Sequence, residues 1–332
     1  MKAIAIFNNK GGVGKTTFLC NLASYLRIFH KKKVLVVDAD PQCNATIYLL
    51  PADRVAEIYG ADNRSTIYKF IDPLKRGKGY FRGNFILEKS ARFQLDLIPG
   101  DPNLALAEDL LATDWTHGCS GEPRGLQTTF IFWNLISKFR KYDFIFFDVG
   151  PSLGAINRSV LLSSDYFVMP ISSDVFSLMA IKNISQALNK WKTALVKGLD
   201  SYEDENRNRY NINNKLVNWK LKFAGYIIQQ YTAKTKQGTR QPVKAYERIL
   251  KQVPSVIKKH LVDGFASFHR DNYKLGEIPN LHSIIPMSQS VQSPVFGLKA
   301  KDGVVGAHFA KVNDAKKIYS EIARSFLTKI NR

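Results

Sequence analysis

Nine residues near the amino terminus, Asn9-Lys10-Gly11-Gly12-Val13-Gly14-Lys15-Thr16-Thr17, constrain this chain more than any other stretch. They follow the apolar run Ala3-Ile4-Ala5-Ile6-Phe7 and precede an apolar-periodic segment from Phe18 to Phe29. The order is strand, glycine-rich loop, helix, which is the context that a phosphate-binding P-loop requires. Three glycines let the backbone curl with its N–H groups inward, and the helix adds its positive end. Lys15 is then expected to reach the outer phosphates as a point charge, with the Thr16 hydroxyl completing the coordination of Mg2+. In the ordinary pattern G-x-x-x-x-G-K-[ST] the first glycine falls where this chain has Asn9, and a second lysine, Lys10, comes next.

Two further runs end in carboxylates. Val34-Leu35-Val36-Val37 leads into Asp38-Ala39-Asp40-Pro41-Gln42, and Tyr142-Asp143-Phe144-Ile145-Phe146-Phe147 ends at Asp148. Apolar runs without polar alternation read as strands buried on both faces of a parallel sheet. Carboxylates at the carboxyl ends of such strands stand where open α/β sheets bind ligands. An apolar strand ending in Asp is also the Walker B layout, which presents a carboxylate to Mg2+ directly or through water.

The Lys10-Gly11-Gly12-Val13-Gly14-Lys15-Thr16-Thr17 wording resembles the deviant Walker A motif of the ParA/MinD ATPases. Asp38 to Gln42 with Asn44-Ala45-Thr46 looks like that family's switch I, and Gly150-Pro151-Ser152-Leu153-Gly154 is similar to its switch II. Many relatives have Thr-Pro-Pro in switch II, and Val149-Gly150 departs from that wording. The pattern Ile98-Pro99-Gly100-Asp101 and the late stretches Leu281–Pro286 and Ser288–Gly297 also resemble ParA-like chains, the latter running beside the nucleotide base. The resemblance implies a single α/β domain over 1–332, a P-loop NTPase of the SIMIBI type with a mainly parallel twisted sheet flanked by helices. It implies ATP and Mg2+ as cofactors and an ATP-sandwich homodimer. The nucleotide is expected on Lys10, Gly11, Gly12, Val13, Gly14, Lys15, Thr16 and Thr17, with Lys15 acting in cis and Lys10 across the dimer. Asp40 is expected to orient the attacking water and, with Thr16 and Asp148, to hold the metal; Asp38 supports the loop and the metal shell.

Composition bounds the partners. The 332 residues carry 48 Lys+Arg against 28 Asp+Glu, a formal charge of +20, which points to a polyanion. Cys20, Cys43 and Cys119 are widely spaced and lack a C-x-x-C, which argues for a reducing cytoplasm and against a disulfide frame or cysteine-ligated metal. Met1-Lys2 runs straight into the first strand, so no signal peptide is expected.

The remaining segments read as follows. Residues 51–92 and 198–220 are expected to be embellishments, the first with a short helix and a basic, aromatic, glycine-rich loop. Residues 113–125 read as a loop, because Gly118, Gly121, Pro123 and Gly125 crowd there. Asp174 to Leu188 reads as a helix whose Phe176-Ser177-Leu178-Met179-Ala180 resembles a segment near the family's dimer interface. Arg240, Lys244 and Arg248 at four-residue spacing suggest a helical basic stripe, continued by Lys251, Lys258 and Lys259, that could meet DNA phosphates without reading sequence; a solvated helix face is as good a reading. The last helix, Asn313 to Ile330, has an apolar stripe, and packing on its own domain is favoured over a membrane surface.

These readings lead to a ParA-like ATPase that binds non-specific DNA as an ATP dimer, acts in partition or cargo positioning, and is reset by a ParB-like or other stimulating partner. It would be a weak hydrolase, cytoplasmic and associated with the nucleoid. A MinD-like membrane-associated ATPase, and a regulatory ATP-binding protein that recruits an effector, stay open as alternatives.

Overall fold

The computed structural model describes the backbone of residues 1–231, 233–236, 239–242, 244–265 and 273–330, and the side chains of those residues outside 230–247. Its strands are β1 (Lys2–Ile6), β2 (Val34–Asp38), β3 (Glu88–Ser90), β4 (Leu95–Ile98), β5 (Phe144–Asp148) and β6 (Tyr166–Ser172), followed by β7 (Asn211–Ile212), β8 (Lys215–Leu216), β9 (Lys222–Tyr231), β10 (Ala233–Lys236), β11 (Thr239–Pro242) and β12 (Lys274–Pro279). Eight of them form one sheet in the order β12-β9-β6-β1-β5-β2-β4-β3. Every pairing in it is parallel except that of the edge strand β3 with β4.

The continuous apolar runs have a simple cause. Alternate residues supply opposite cores: Ala3, Ala5, Leu35, Val37, Ile145 and Phe147 face one layer of helices. Ile4, Ile6, Val34, Val36, Phe144 and Phe146 face the other. With both faces covered, an unpartnered polar side chain at these inner positions is costly.

The helices are α1 (Lys15–His30), α2 (Asn44–Leu49), α3 (Ala52–Gly60), α4 (Tyr68–Lys75), α5 (Glu108–Cys119), α6 (Pro123–Thr129) and α7 (Ile131–Lys138), then α8 (Ala155–Ser163), α9 (Val175–Asn206), α10 (Lys244–Ile257), α11 (Asp263–Phe265), α12 (Ile284–Ser290) and α13 (His308–Ile330). The stripe of α13 is buried at Tyr319, Ile322, Phe326 and Ile330, and the Phe326 ring meets Phe144 and Phe146 at 5.7 Å each. That helix packs on its own sheet. Among the described residues no helix is long and apolar enough to cross a membrane.

Two expectations are corrected, at residues 113–125 and at Arg240. Residues 113–125 are mostly helical, in α5 and α6. Gly118 and Gly125 there mark close backbone approach, since a Cβ on Gly125 would run into the Gly118 nitrogen and one on Gly198 of α9 would run into the Gly118 carbonyl oxygen. Within 198–220, residues 198–206 continue the 32-residue helix α9 and the short β7–β8 hairpin follows it. Arg240 lies on β11, paired antiparallel with β10, so the helical stripe does not begin there. In 51–92 the aromatics turn inward: Phe81 and Phe85 meet Phe70 at ring distances of 5.2 and 5.1 Å. Both rings are part-buried and pack against the core.

Candidate nucleotide site

The chain leaves β1 toward β2 on one side and later leaves neighbouring β5 toward β6 on the other, so the strand order reverses at β1 and β5, and the crevice beyond their carboxyl ends is where a ligand is expected. Gly12 and Gly14 sit at φ 71° and 72°, left-handed conformations that glycine adopts without strain, and Lys15 opens α1 directly after them. The turn is pinned from outside. Asn8 Oδ1 accepts from the Lys10 amide at 3.0 Å and its Nδ2 donates to the Pro170 carbonyl at 2.6 Å, while Gln229 Nε2 donates to the Gly14 carbonyl at 3.3 Å.

A cleft of about 560 Å³ opens over this turn. It is lined by Gly11 to Thr17 and by Asp40, all expected from the sequence, with Gln42, Asn44, Ile47, Tyr48 and Pro151. Gln289 and Gln292, at the end of α12 and just beyond it, close the far side. Tyr48 is held there by Ser288 Oγ at 2.5 Å and by Asn21 Nδ2 at 3.1 Å. Sequence reading placed the 288–297 stretch beside the base without naming these glutamines; they line the cleft only because α12 folds back over α1, where Asn21 Oδ1 accepts from the Val295 amide at 2.8 Å.

The two lysines of the loop are separated. Lys15 is 8 % exposed and its Nζ donates to the Lys10 carbonyl at 3.3 Å. Burial lowers its pKa, and the nearby charges of Asp148 and Asp40 oppose that. Lys10 does not line the cleft: its ammonium pairs with Asp174 and donates to Ser172 Oγ at 3.0 Å, both at the carboxyl end of β6. Burial acts to raise the Asp174 carboxyl, but hydrogen bonds from Lys10 and Ser172 outweigh it and hold the pKa below the ordinary value. Asp174 repeats the arrangement of Asp38 and Asp148, a carboxylate just after an apolar strand, which is the sequence signal that could have found it.

Three carboxylates gather under the loop. The register sets Asp148 opposite both Ile6 and Asp38. Asp38 is fully buried and accepts from the Thr46 amide at 2.8 Å and hydroxyl at 2.7 Å, which supports its expected role of holding the loop. Burial raises its pKa to about 7, although the bonds from Thr46 pull the other way. Asp148 is also raised, by burial first and then by the charge of Asp38. Its Oδ2 accepts from Thr16 Oγ1 at 2.7 Å, while Oδ1 is buried without a hydrogen-bond partner. An orphaned carboxylate oxygen beside a P-loop hydroxyl is a hard-oxygen set that fits Mg2+. Among the described residues no group of three or more His, Cys, Asp or Glu forms a metal cage, as suits an ion held mainly by phosphate and water.

The loop after β5 is also anchored. Asn157 Nδ2 donates to the Gly150 and Ser152 carbonyls at 2.8 Å each. Glu108 caps α8, accepting from the Ala155 amide and, at 3.1 Å, from that of Ile156. Neither residue was singled out from sequence.

The proposed DNA residues are only partly described. Arg248, Lys251, Lys258 and Lys259 are exposed, the first two on α10 and the others in the π-helical turn after it. The side chains of Arg240 and Lys244 lie outside the described residues.

A glycine-rich turn between a central parallel strand and a helix, with a buried lysine, a threonine and a strand-end aspartate, defines a P-loop nucleotide-binding protein. The family described as AAA domain (AAA_31) matches residues 1–201, and the chain belongs to the ParA/MinD family of P-loop ATPases. The virulence plasmid ParA family protein pGP5-D of Chlamydia psittaci is 29% identical over 186 residues, 56% of this chain and 62% of that protein. The sporulation initiation inhibitor protein Soj of Bacillus subtilis is 34% identical over 193 residues, 57% of this chain and 64% of its own. The chain thus matches less than two thirds of either relative's length. Among solved structures, protein DIP2308 of Corynebacterium diphtheriae superposes with a TM-score of 0.73 at 29% identity, covering 88% of this chain and 97% of that one. McdA of Cyanothece, in a complex with ATP, shares the fold at a TM-score of 0.62 and 14% identity, with 98% and 96% covered.

Proposed function

We propose that this chain is an ATP- and Mg2+-dependent switch that closes as a homodimer around nucleotide, binds DNA without sequence preference, and is reset by hydrolysis in a partition or positioning system. The observation that carries the reading is the separation of the two loop lysines. Lys15 sits inside the cleft, whereas Lys10 is held outside it by Asp174 and Ser172. A lysine at the rim, beside exposed Val175, Phe176 and Met179, is suited to a second subunit.

In this reading Lys15 and, from across the dimer, Lys10 stabilise charge on the transferred phosphate, and Asp40 orients water. Thr16 and Asp148 would hold Mg2+, which supplies charge neutralisation. Two observations support this role for Asp40: it lines the cleft, and its Oδ1 accepts from the Gln42 amide at 3.0 Å. Exposed cations on and after α10 and the +20 charge support DNA phosphate contact. The partition role comes from similarity to Soj and to the ParA family protein pGP5-D. The membrane alternative has less support, because the apolar stripe of α13 is occupied by the sheet.

The test is fluorescence anisotropy on duplex DNA at two salt concentrations, with ADP, with ATP and with Lys15→Ala, alongside light scattering for mass. The expected result is salt-sensitive, sequence-indifferent binding by an ATP dimer that the variant loses. Nucleotide-indifferent binding by a monomer would sink the switch.

A further inference from the structure

A second sizeable cleft lies away from the nucleotide site. It opens at the amino ends of β2, β4 and β5, measures about 710 Å³, and runs into a second of about 320 Å³ that shares Arg27, Gln94, Asp96, Lys141 and Tyr142 with it. Together they make one groove, at the edge of the sheet opposite the P-loop.

Its chemistry has three parts. Arg27, Lys33, Lys89 and Lys141 stand around it, all exposed, and none makes an ion pair among the described residues. Asp96 lies on the floor, half-buried, accepting from the Tyr142 hydroxyl at 2.5 Å. Phe85 and Leu87 form an apolar wall. Rim cations call for carboxylates or phosphates. The floor carboxylate calls for N–H donors, which a phosphate backbone lacks and a peptide backbone has. The wall calls for an apolar side chain. A second copy meeting this groove across a two-fold axis would set these four cations against their own counterparts.

We infer that this groove docks an extended segment of a partner protein in which acidic residues flank an apolar one. Charge complementarity draws the segment in, the wall seats its apolar side chain, and Asp96 receives a backbone amide. The site lies at the far end of the strands from the phosphate loop, so the partner and the nucleotide occupy the chain together.

The test is anisotropy of a fluorescein-labelled dodecapeptide of Glu, Asp and Leu, titrated with the full chain. Saturable binding is expected, weakened at least tenfold by Lys89→Glu with Lys141→Glu and weakened again when the peptide's Leu residues become Ser. Lys15→Ala is expected to leave it intact, so that this result and the nucleotide reading fail separately. The control reversal is Lys190→Glu with Lys192→Glu, on exposed positions of α9, and a thermal melt confirms that both double variants stay folded. The proposal is overturned if binding does not saturate, if the control weakens it as much as the groove variant, or if 24-base-pair DNA displaces the peptide through the same two lysines.

Discussion

The two ends of the sheet treat charge in opposite ways. At the carboxyl end Lys15, Asp38, Asp40 and Asp148 are buried, and their neighbours fix their geometry and shift the pKa of Lys15, Asp38 and Asp148. At the amino end Arg27, Lys33, Lys89 and Lys141 face water. Burial makes each group at the first end specific and expensive to alter. Exposure makes each group at the second end weak alone and effective only as a set. A catalytic edge and a recruiting edge can therefore share strands without sharing chemistry.

That contrast can be broken by substitution. The largest effect is expected for Lys15→Ala, with fluorescent-ATP affinity and phosphate release both falling by about 100-fold or more. Near-normal binding by the variant would end the claim that the buried lysine holds phosphate. Lys10→Ala should separate the two activities: turnover drops by roughly 10- to 100-fold while ATP affinity stays within about threefold. Equal losses in both would place Lys10 in its own subunit's cleft.

A pH effect follows from the buried carboxylates. Asp38 binds its proton more tightly in the folded chain, with a pKa near 7 against an ordinary 3.8. The folded state then holds more protons between those values, so this group's share of stability is fully present below the lower one and is lost as pH rises through the higher. Without nucleotide and with chelator, melting should be higher at pH 5.5 than at pH 8, on the order of several degrees. ATP with Mg2+ should narrow the gap. A melting temperature that rises with pH would show that the carboxylates are not strained by burial. The smallest effect belongs to the exposed end of the scale: Arg248→Glu should weaken DNA binding a few-fold and lower the salt slope by about one phosphate contact.

The centre of the sheet was legible because β1, β2 and β5 carry continuous apolar runs, and parallel order follows from strands alternating with helices. The phosphate loop was legible because glycine spacing and the flanking elements are contiguous in the chain. What escaped was decided at long range. Asp174 meets Lys10 across 164 positions, and Gln289 reaches the cleft only through Asn21 and Val295. The glycines at 118 and 125 read as turn formers when their use is contact between backbones. Arg240 kept a helical spacing to Lys244 and Arg248 although it lies on a strand, since periodicity carries no information across an element boundary.

Those glycines have one more consequence. Gly118, Gly125 and Gly198 bring α5, α6 and α9 together with no side-chain layer between them, so that junction has almost nothing to compress. Gly198 lies about 35 Å along α9 from Val175. The far end of α9 carries exposed Val175, Phe176 and Met179 and follows directly on the Asp174 that grips Lys10. Between that junction and Asp174 the helix is buried at Leu195, Leu188, Ile184, Ile181 and Ser177, so the two ends are joined by one packed rod. A tilt of about 5° about the glycine fulcrum moves Asp174 by about 3 Å, enough to let the lysine go.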